Sequence, residues 1–295
     1  MQFLVAGASG FLGSHLTSDL RAAGHEVVAL SRSAGPHTWD PYGGRLDRAL
    51  VEDADVVVNL AGSPTVGNPH SRRWARNLRT SRVTTTRVLA EAIAASDRKP
   101  AFLAGNAIAW YGDHGDEPVT ESSDSRGDTF LTGVTRDWQA ATQPAVEAGA
   151  RVCVLRTVPV MDRGSAPLKQ LLLLFKAGLG GRVGSGRQYM PMVSLRDWVA
   201  AARFVAEHGD LAGPVNLCCV DPPTNARFTE ELARLLRRPA VVPVPAIVLR
   251  QAAGKLAPEL LGSIRAVPQA LLDAGFRFAD PDVESVLLTG MGGAG

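Results

Sequence analysis

Gly7-Ala8-Ser9-Gly10-Phe11-Leu12-Gly13 follows a strand-like run, Gln2–Ala6, and opens a helical pattern. No other stretch restricts the fold of this chain as much. Gly7 permits a tight turn, Gly10 lets the backbone approach a pyrophosphate, and Gly13 allows close helix–strand packing. The helix N-terminus behind them stabilises phosphate charge. A glycine pattern alone is a weak signal; set between a strand and a helix it reads as a dinucleotide fingerprint. Gly7, Ser9, Gly10, Phe11, Leu12 and Gly13 are therefore the expected cofactor contacts.

The first half of the chain continues in the same alternation. Strands are expected at Glu26–Leu30 and at residues 55–60, 100–104 and 151–156, with helices over residues 11–23, 71–96 and 132–148. Runs such as VVVNL, apolar on both faces, suit parallel strands covered by helices on each side. The expected fold class is α/β with a doubly wound parallel sheet whose carboxyl ends share one ligand-binding rim. After about Arg163 the pattern changes. A glycine-rich stretch at residues 178–186 and scattered prolines suggest a smaller lobe closing over the rim, with helices near residues 197–207, 229–237, 247–255 and 268–274. The expected division is a cofactor domain over residues 1–163, to which some later segments return, and mainly a substrate lobe over 164–289. The glycine-rich tail, 290–295, is expected to be mobile.

Two strand ends refine the cofactor. Ala29-Leu30-Ser31-Arg32 lacks the carboxylate that an NAD-specific site uses on the ribose, and no Asp or Glu follows until Asp40. Ser31 and Arg32 can instead hydrogen-bond and neutralise a 2′-phosphate, which favours NADP(H) over NAD. Asn59-Leu60-Ala61-Gly62 ends the third strand, and its small residues are expected to let the adenine and ribose side of the cofactor lie against backbone.

Composition excludes several other classes. The net charge of +2 gives no nucleic-acid surface, and the longest mid-chain apolar block, LLLLF, is far short of a membrane span. Cys153, Cys218 and Cys219 form neither a disulfide framework nor metal-ligand spacing. A cytoplasmic protein with a small-molecule substrate and no metal is expected; the oligomeric state stays open.

GASGFLG, NLAG and AWYG together resemble the extended short-chain dehydrogenase/reductase superfamily. WDP at Trp39–Pro41, SRVTTTRVL at Ser81–Leu89, YGDHGDE at Tyr111–Glu117 and FLTGVTRDW at Phe130–Trp138 narrow the resemblance. So do LRT at Leu155–Thr157, GSGRQYM at Gly184–Met190, GPVN at Gly213–Asn216 and AGFRF at Ala274–Phe278. They point to the atypical branch called the NAD-dependent epimerase/dehydratase family, which carries a small C-terminal domain of unknown function. The resemblance implies a Rossmann-like domain that binds NADP(H) and a C-terminal lobe that shapes the substrate pocket. It carries Gly7, Gly10, Gly13, Arg32, Ala61 and Gly62 over as cofactor contacts, and brings Thr157 and Val158 near the nicotinamide.

The superfamily's usual proton relay, Ser with Tyr-x-x-x-Lys, is missing. Four residues after the three tyrosines, Tyr42, Tyr111 and Tyr189, stand Leu46, Gly115 and Val193, and no lysine lies between Lys99 and Lys169. The position of the serine holds Asn106, which can orient a ligand but cannot act as acid or base. Candidate catalytic residues are then Asn106, Tyr111 and Ser63, with Arg187, Gln188 and Tyr189 on the substrate side. His114 reads as a surface residue, and Asp113 and Asp116 as braces of its loop. Three functions remain open: an NADP(H)-dependent oxidoreductase or epimerase-like enzyme, a redox-neutral cyclase, dehydratase or isomerase, and a non-catalytic NADP(H) sensor.

Overall fold

Six parallel strands carry the architecture, in the order Glu26–Leu30, Gln2–Ala6, Val56–Asn59, Ala101–Ala107, Val152–Thr157 and Gly213–Leu217. The computed structural model describes residues 1–33, 35–240 and 243–292. In chain order the first elements are β1 (Gln2–Ala6), α1 (Phe11–Ala22), β2 (Glu26–Leu30), α2 (Ala49–Asp53), β3 (Val56–Asn59), α3 (Arg72–Ala95) and β4 (Ala101–Ala107). They are followed by β5 (Pro118–Val119), α4 (Phe130–Ala140), α5 (Gln143–Glu147), β6 (Val152–Thr157), β7 (Val160–Met161), α6 (Ala166–Lys176) and β8 (Val193–Ser194). The last are α7 (Leu195–Glu207), β9 (Gly213–Leu217), α8 (Asn225–Leu236), α9 (Ala246–Ala253), α10 (Ala257–Leu261), β10 (Arg265–Ala266), α11 (Gln269–Asp273) and α12 (Val283–Gly290).

The period of two along each strand builds two cores. Phe3, Val5, Val56, Val58 and Leu103 face one side with Leu16, Leu20 and Trp198; Leu4, Ala6, Val57 and Phe102 face the other with Leu89 and Ile93. The result is a Rossmann-like sheet covered on both faces. A third cluster, including Met161, Leu168, Phe228 and Leu287, joins α6, α8 and α12. No helix among the described residues is long and apolar enough to cross a membrane.

The structure redraws several boundaries. β4 runs on through Asn106, because Gly105, Asn106 and Ala107 pair with Leu155, Arg156 and Thr157 of β6. The helix expected over 132–148 is two helices: Pro144 has no N–H to continue the ladder and instead sits in the first turn of α5. The GPVN segment forms β9, which closes the sheet edge beside β6. Gly290 is not loose. It ends α12, where its carbonyl accepts from the Arg163 N–H at 2.9 Å. Residues 293–295 of the expected tail lie outside the described residues.

Candidate active site at the carboxyl rim of the sheet

The fingerprint folds as a tight turn with no room for a side chain at Gly7 or Gly13. Gly7 has φ +86°, and a Cβ there would stand 2.6 Å from the Leu60 carbonyl carbon. A Cβ on Gly13 would stand 2.1 Å from the Gly7 carbonyl oxygen, so α1 can lie on the β1 turn only without one. Gly10 donates its N–H to Gly7 O at 3.0 Å and begins α1 with no side chain capping it. By contrast α3, α4, α6, α7 and α8 are capped by Ser or Thr hydroxyls. Ser9 and Gly10 are exposed, with Phe11 and Leu12 half-buried behind them. Exposed first-turn amides over a backbone cradle fit a dinucleotide pyrophosphate.

The neighbouring strand ends complete the rim. Ser31 is held by backbone hydrogen bonds to His37 and Trp39, and Arg32 beside it is exposed, with no ion-pair partner among the described residues. Leu60 donates its N–H to Ala6 O at 2.8 Å. Buried Asn59 accepts from the Ala61 N–H at 3.1 Å and donates to Thr86 Oγ1 at 2.8 Å, which fixes the Leu60–Gly62 backbone. Ser63 is tied to Ser81, accepting at its own Oγ from Ser81 Oγ at 3.1 Å. Thr157 Oγ1 accepts from Trp198 Nε1 at 3.1 Å, and Val158 is buried in the core.

Asn106 and Tyr111 are committed to the protein. Asn106 Nδ2 donates to Thr135 O at 3.2 Å, and its Oδ1 accepts from the Ala107 N–H at 2.7 Å. Asn106 thus braces the end of β4 against α4. Tyr111 is fully buried, and its hydroxyl donates to Asn216 Oδ1 at 2.9 Å. Burial pushes its pKa up to about 12, against the smaller opposing pull of Arg156 and Asn216. Ionising this phenol therefore costs more than ionising a free one.

Around Tyr111 the sequence reading missed a buried polar cluster. Arg156 has no exposed surface; its guanidinium carbon lies 3.6 Å from the Trp110 ring centroid and 4.6 Å from that of Tyr111. Arg156 Nη2 donates to Gln139 Oε1 at 3.0 Å, while Nε and Nη1 have no partner among the described residues. Asn216 N donates to Glu121 Oε1 at 2.9 Å, and burial raises the Glu121 pKa. Register could not reveal this cluster, because Arg156 and Asn216 meet only once β6 and β9 pair. Tyr111→Phe is expected to cost about 1–3 kcal/mol near neutral pH, because it leaves Asn216 Oδ1 without its donor. The raised Tyr111 pKa adds a pH dependence of definite sign. Its contribution is complete below pH 10 and is lost as pH rises toward 12, since the unfolded phenol ionises first. Urea unfolding at neutral pH and at about pH 11 checks both, and the variant should lack this alkaline loss.

His114 is not a surface residue: its side chain is 2% exposed, beneath a loop held by the C-terminal segment. Asp113 Oδ1 accepts from the N–H groups of Gly115 and Ser263, and Ser263 Oγ donates to Gly115 O. The same Ser263 Oγ accepts from the Tyr189 N–H at 3.0 Å, so the GSGRQY loop and the WYG turn share one anchor. Gln188 Nε2 donates to Val183 O within its loop, and Arg187 is exposed. A cavity of about 500 Å³ opens between the WYG turn, the start of α4 and the α9–α10 unit. Its walls include Gly112, Thr129, Thr132, Arg250 and Glu259. Among the described residues no group of His, Cys, Asp and Glu could hold a metal ion.

Comparison with known proteins adds ancestry to this geometry. Residues 3–218 match the NAD dependent epimerase/dehydratase family, and residues 244–288 match a domain of unknown function, DUF1731. The chain is 41% identical over 283 residues to the epimerase family protein Mb2239 of Mycobacterium bovis, covering 93% of this chain and 92% of that one. It is 34% identical to the epimerase family protein SDR39U1 of Mus musculus, covering 97% and 98% of the two chains. The crystal structure of human SDR39U1 (isoform 2) with NADPH superposes with a TM-score of 0.88 at 30% identity, over 98% of this chain and 99% of that one.

Proposed function

Because this chain belongs to the NAD dependent epimerase/dehydratase family, we propose that it is an NADP(H)-binding oxidoreductase or epimerase-like enzyme acting on a small organic substrate. The observation that carries this reading is the glycine turn at the start of α1, closed to side chains at Gly7 and Gly13, followed at the end of β2 by Arg32 where a carboxylate would favour NAD. The human relative crystallised with NADPH supports the same choice of cofactor. Gly7, Gly10 and Gly13 would admit the pyrophosphate, and Ser31 and Arg32 would hold the 2′-phosphate. Leu60, Ala61, Gly62, Thr157 and Val158 would border the remainder. When bound, NADP(H) supplies the hydride chemistry, and the protein supplies position, charge and a dry pocket.

The substrate cavity in this reading is the 500 Å³ space beneath the α9–α10 unit. Asn106 acts by position, holding the Ala107 N–H and the β4 end. Tyr111 keeps the WYG turn in place as a neutral phenol. Proton exchange falls to water and to the hydroxyl chain on the cavity wall, where Thr132 Oγ1 meets Thr129 Oγ1 at 2.8 Å. Thr129 Oγ1 in turn donates to Glu259 Oε1 at 2.7 Å.

The test is isotope transfer from NADPH deuterated at C4, offered with a panel of small aldehydes, ketones and hydroxy compounds. Deuterium in a reduced product is expected. A product formed without label by protein stripped of all bound NADP(H) would transfer the protein to the redox-neutral class, whereas an unlabelled product that requires bound NADP+ is the epimerase-like outcome. Binding without any turnover across the panel would favour a sensor.

A further inference from the structure

With the rim read as an NADP(H) site, on which the role assigned below to Arg82 rests, the order of the sheet gives the bound dinucleotide a direction. The pyrophosphate cradle follows β1, and the 2′-phosphate residues follow β2 on one side of it. In this reading the nicotinamide half extends the other way, over the ends of β3 and β4, so the β3 end borders that half and not the adenine and ribose side expected from the sequence. Two glycines stand there, Gly62 after β3 and Gly105 in β4.

Gly62 packs against one side chain in ordinary contact, whereas a Cβ on Gly105 would stand closest to the Asn59 backbone, 2.8 Å from its carbonyl oxygen, with a tryptophan next. A Cβ on Gly62 would lie 3.4 Å from Cζ and Nη1 of Arg82, and one on Gly105 would lie 3.3 Å from Trp138 Cζ2. Arg82, on α3, places its guanidinium carbon 5.2 Å from the centroid of the Trp138 ring. Trp138 is pinned in turn by its Nε1 donating to Thr86 Oγ1 at 2.8 Å. A planar cation lying near an indole at a glycine-lined rim is a prepared surface.

Among the described residues the charge on Arg82 has no counter-ion. Nη1 donates to the carbonyls of Ser63 and Leu78, both at 3.2 Å, and Nη2 to Thr65 Oγ1 at 3.3 Å. All three acceptors are neutral. Arg79, one turn earlier, is paired with Asp137. Burial lowers the Arg82 pKa to about 10. Of the five guanidinium N–H donors, Nε–H and one on Nη2 keep no partner among the described residues. A partly desolvated cation with spare donors gains by meeting oxygen acceptors on a ligand.

We infer that Arg82 is the positioning cation for the nicotinamide half of the cofactor, donating its spare N–H groups to the ribose hydroxyls there and standing in for the missing lysine. It arrives from α3, beneath the β3 end, whereas the superfamily's lysine belongs to the helix after β4.

The proposal separates from a structural role by using a ligand that lacks the nicotinamide half. NADP+ and 2′,5′-ADP share the adenine ribose and the 2′-phosphate, but only NADP+ reaches the β3 and β4 ends. Calorimetric titration of Arg82→Gln is expected to show NADP+ weakened about tenfold, with 2′,5′-ADP unchanged within about twofold. Arg82→Lys keeps the charge without the fork; it should weaken NADP+ by about threefold with the same selectivity, and it serves if the glutamine variant does not fold. Equal weakening of both ligands would make Arg82 a brace of the Ser63–Thr65 turn and overturn the proposal, as would unchanged NADP+ affinity. Failure of the unmodified protein to bind either ligand would overturn the cofactor reading itself. Unmodified protein that binds 2′,5′-ADP but gains nothing from the nicotinamide half would overturn the role of Arg82 alone.

Discussion

Gly10→Val is expected to reduce NADPH affinity by at least about 100-fold, roughly 2.7 kcal/mol, in a protein that still folds. Gly10 has φ −73° and ψ 169°, extended backbone that valine adopts without strain. A Cβ there meets only the Gly7 carbonyl oxygen, at 3.2 Å, and the residue is exposed. The branched methyl groups therefore project into solvent over the first turn of α1, where the pyrophosphate must come to within hydrogen-bond distance of backbone N–H groups. Titration by nicotinamide fluorescence, alongside a thermal melt, checks both halves. A folded variant that binds NADPH normally would move the phosphate site away from this turn.

Gly13→Val should fail differently, by folding poorly. Its Cβ would lie 2.1 Å from Gly7 O, 2.8 Å from Gly7 C and 3.0 Å from Ala8 Cα, all backbone atoms. No rotamer relieves a contact with backbone, so α1 must lift away from β1. Leu16 and Leu20, buried on that helix beneath the sheet, would lose packing as it moved. A loss of at least about 3 kcal/mol is expected, at the upper end of overpacking costs. Urea unfolding measures it. Wild-type stability in this variant would mean that the helix and strand are not locked together by the glycine. The two substitutions, three residues apart in one motif, thus separate binding from folding.

Much of the rim was legible because local chemistry fixes it. The bounds of β1 and β2 follow from short apolar runs with turns beside them, and the start of α1 from its glycines. Pairing partners were harder to read. Nothing near Asn106 says that β4 continues through it, because the hydrogen bonds come from β6, about fifty residues later. The partner of the Tyr111 hydroxyl lies 105 residues away in β9, a strand that the glycine and proline of GPVN disguise. His114 sits in a polar run, yet its burial depends on Ser263 and its neighbours folding over it. Nothing within SRVTTTRVL marks Arg82, which meets Gly62 only once α3 packs beside the end of β3.

Calorimetric titration of the protein with NADPH and with NADH asks the central question, whether this rim is an NADP(H) site. NADPH is expected to bind at least about tenfold more tightly, a difference of roughly 1.4 kcal/mol, and Arg32→Ala should remove most of that preference by weakening NADPH alone. Equal affinity for the two cofactors would contradict the assignment of Ser31 and Arg32 to the 2′-phosphate, and binding of neither would contradict the cofactor site as a whole.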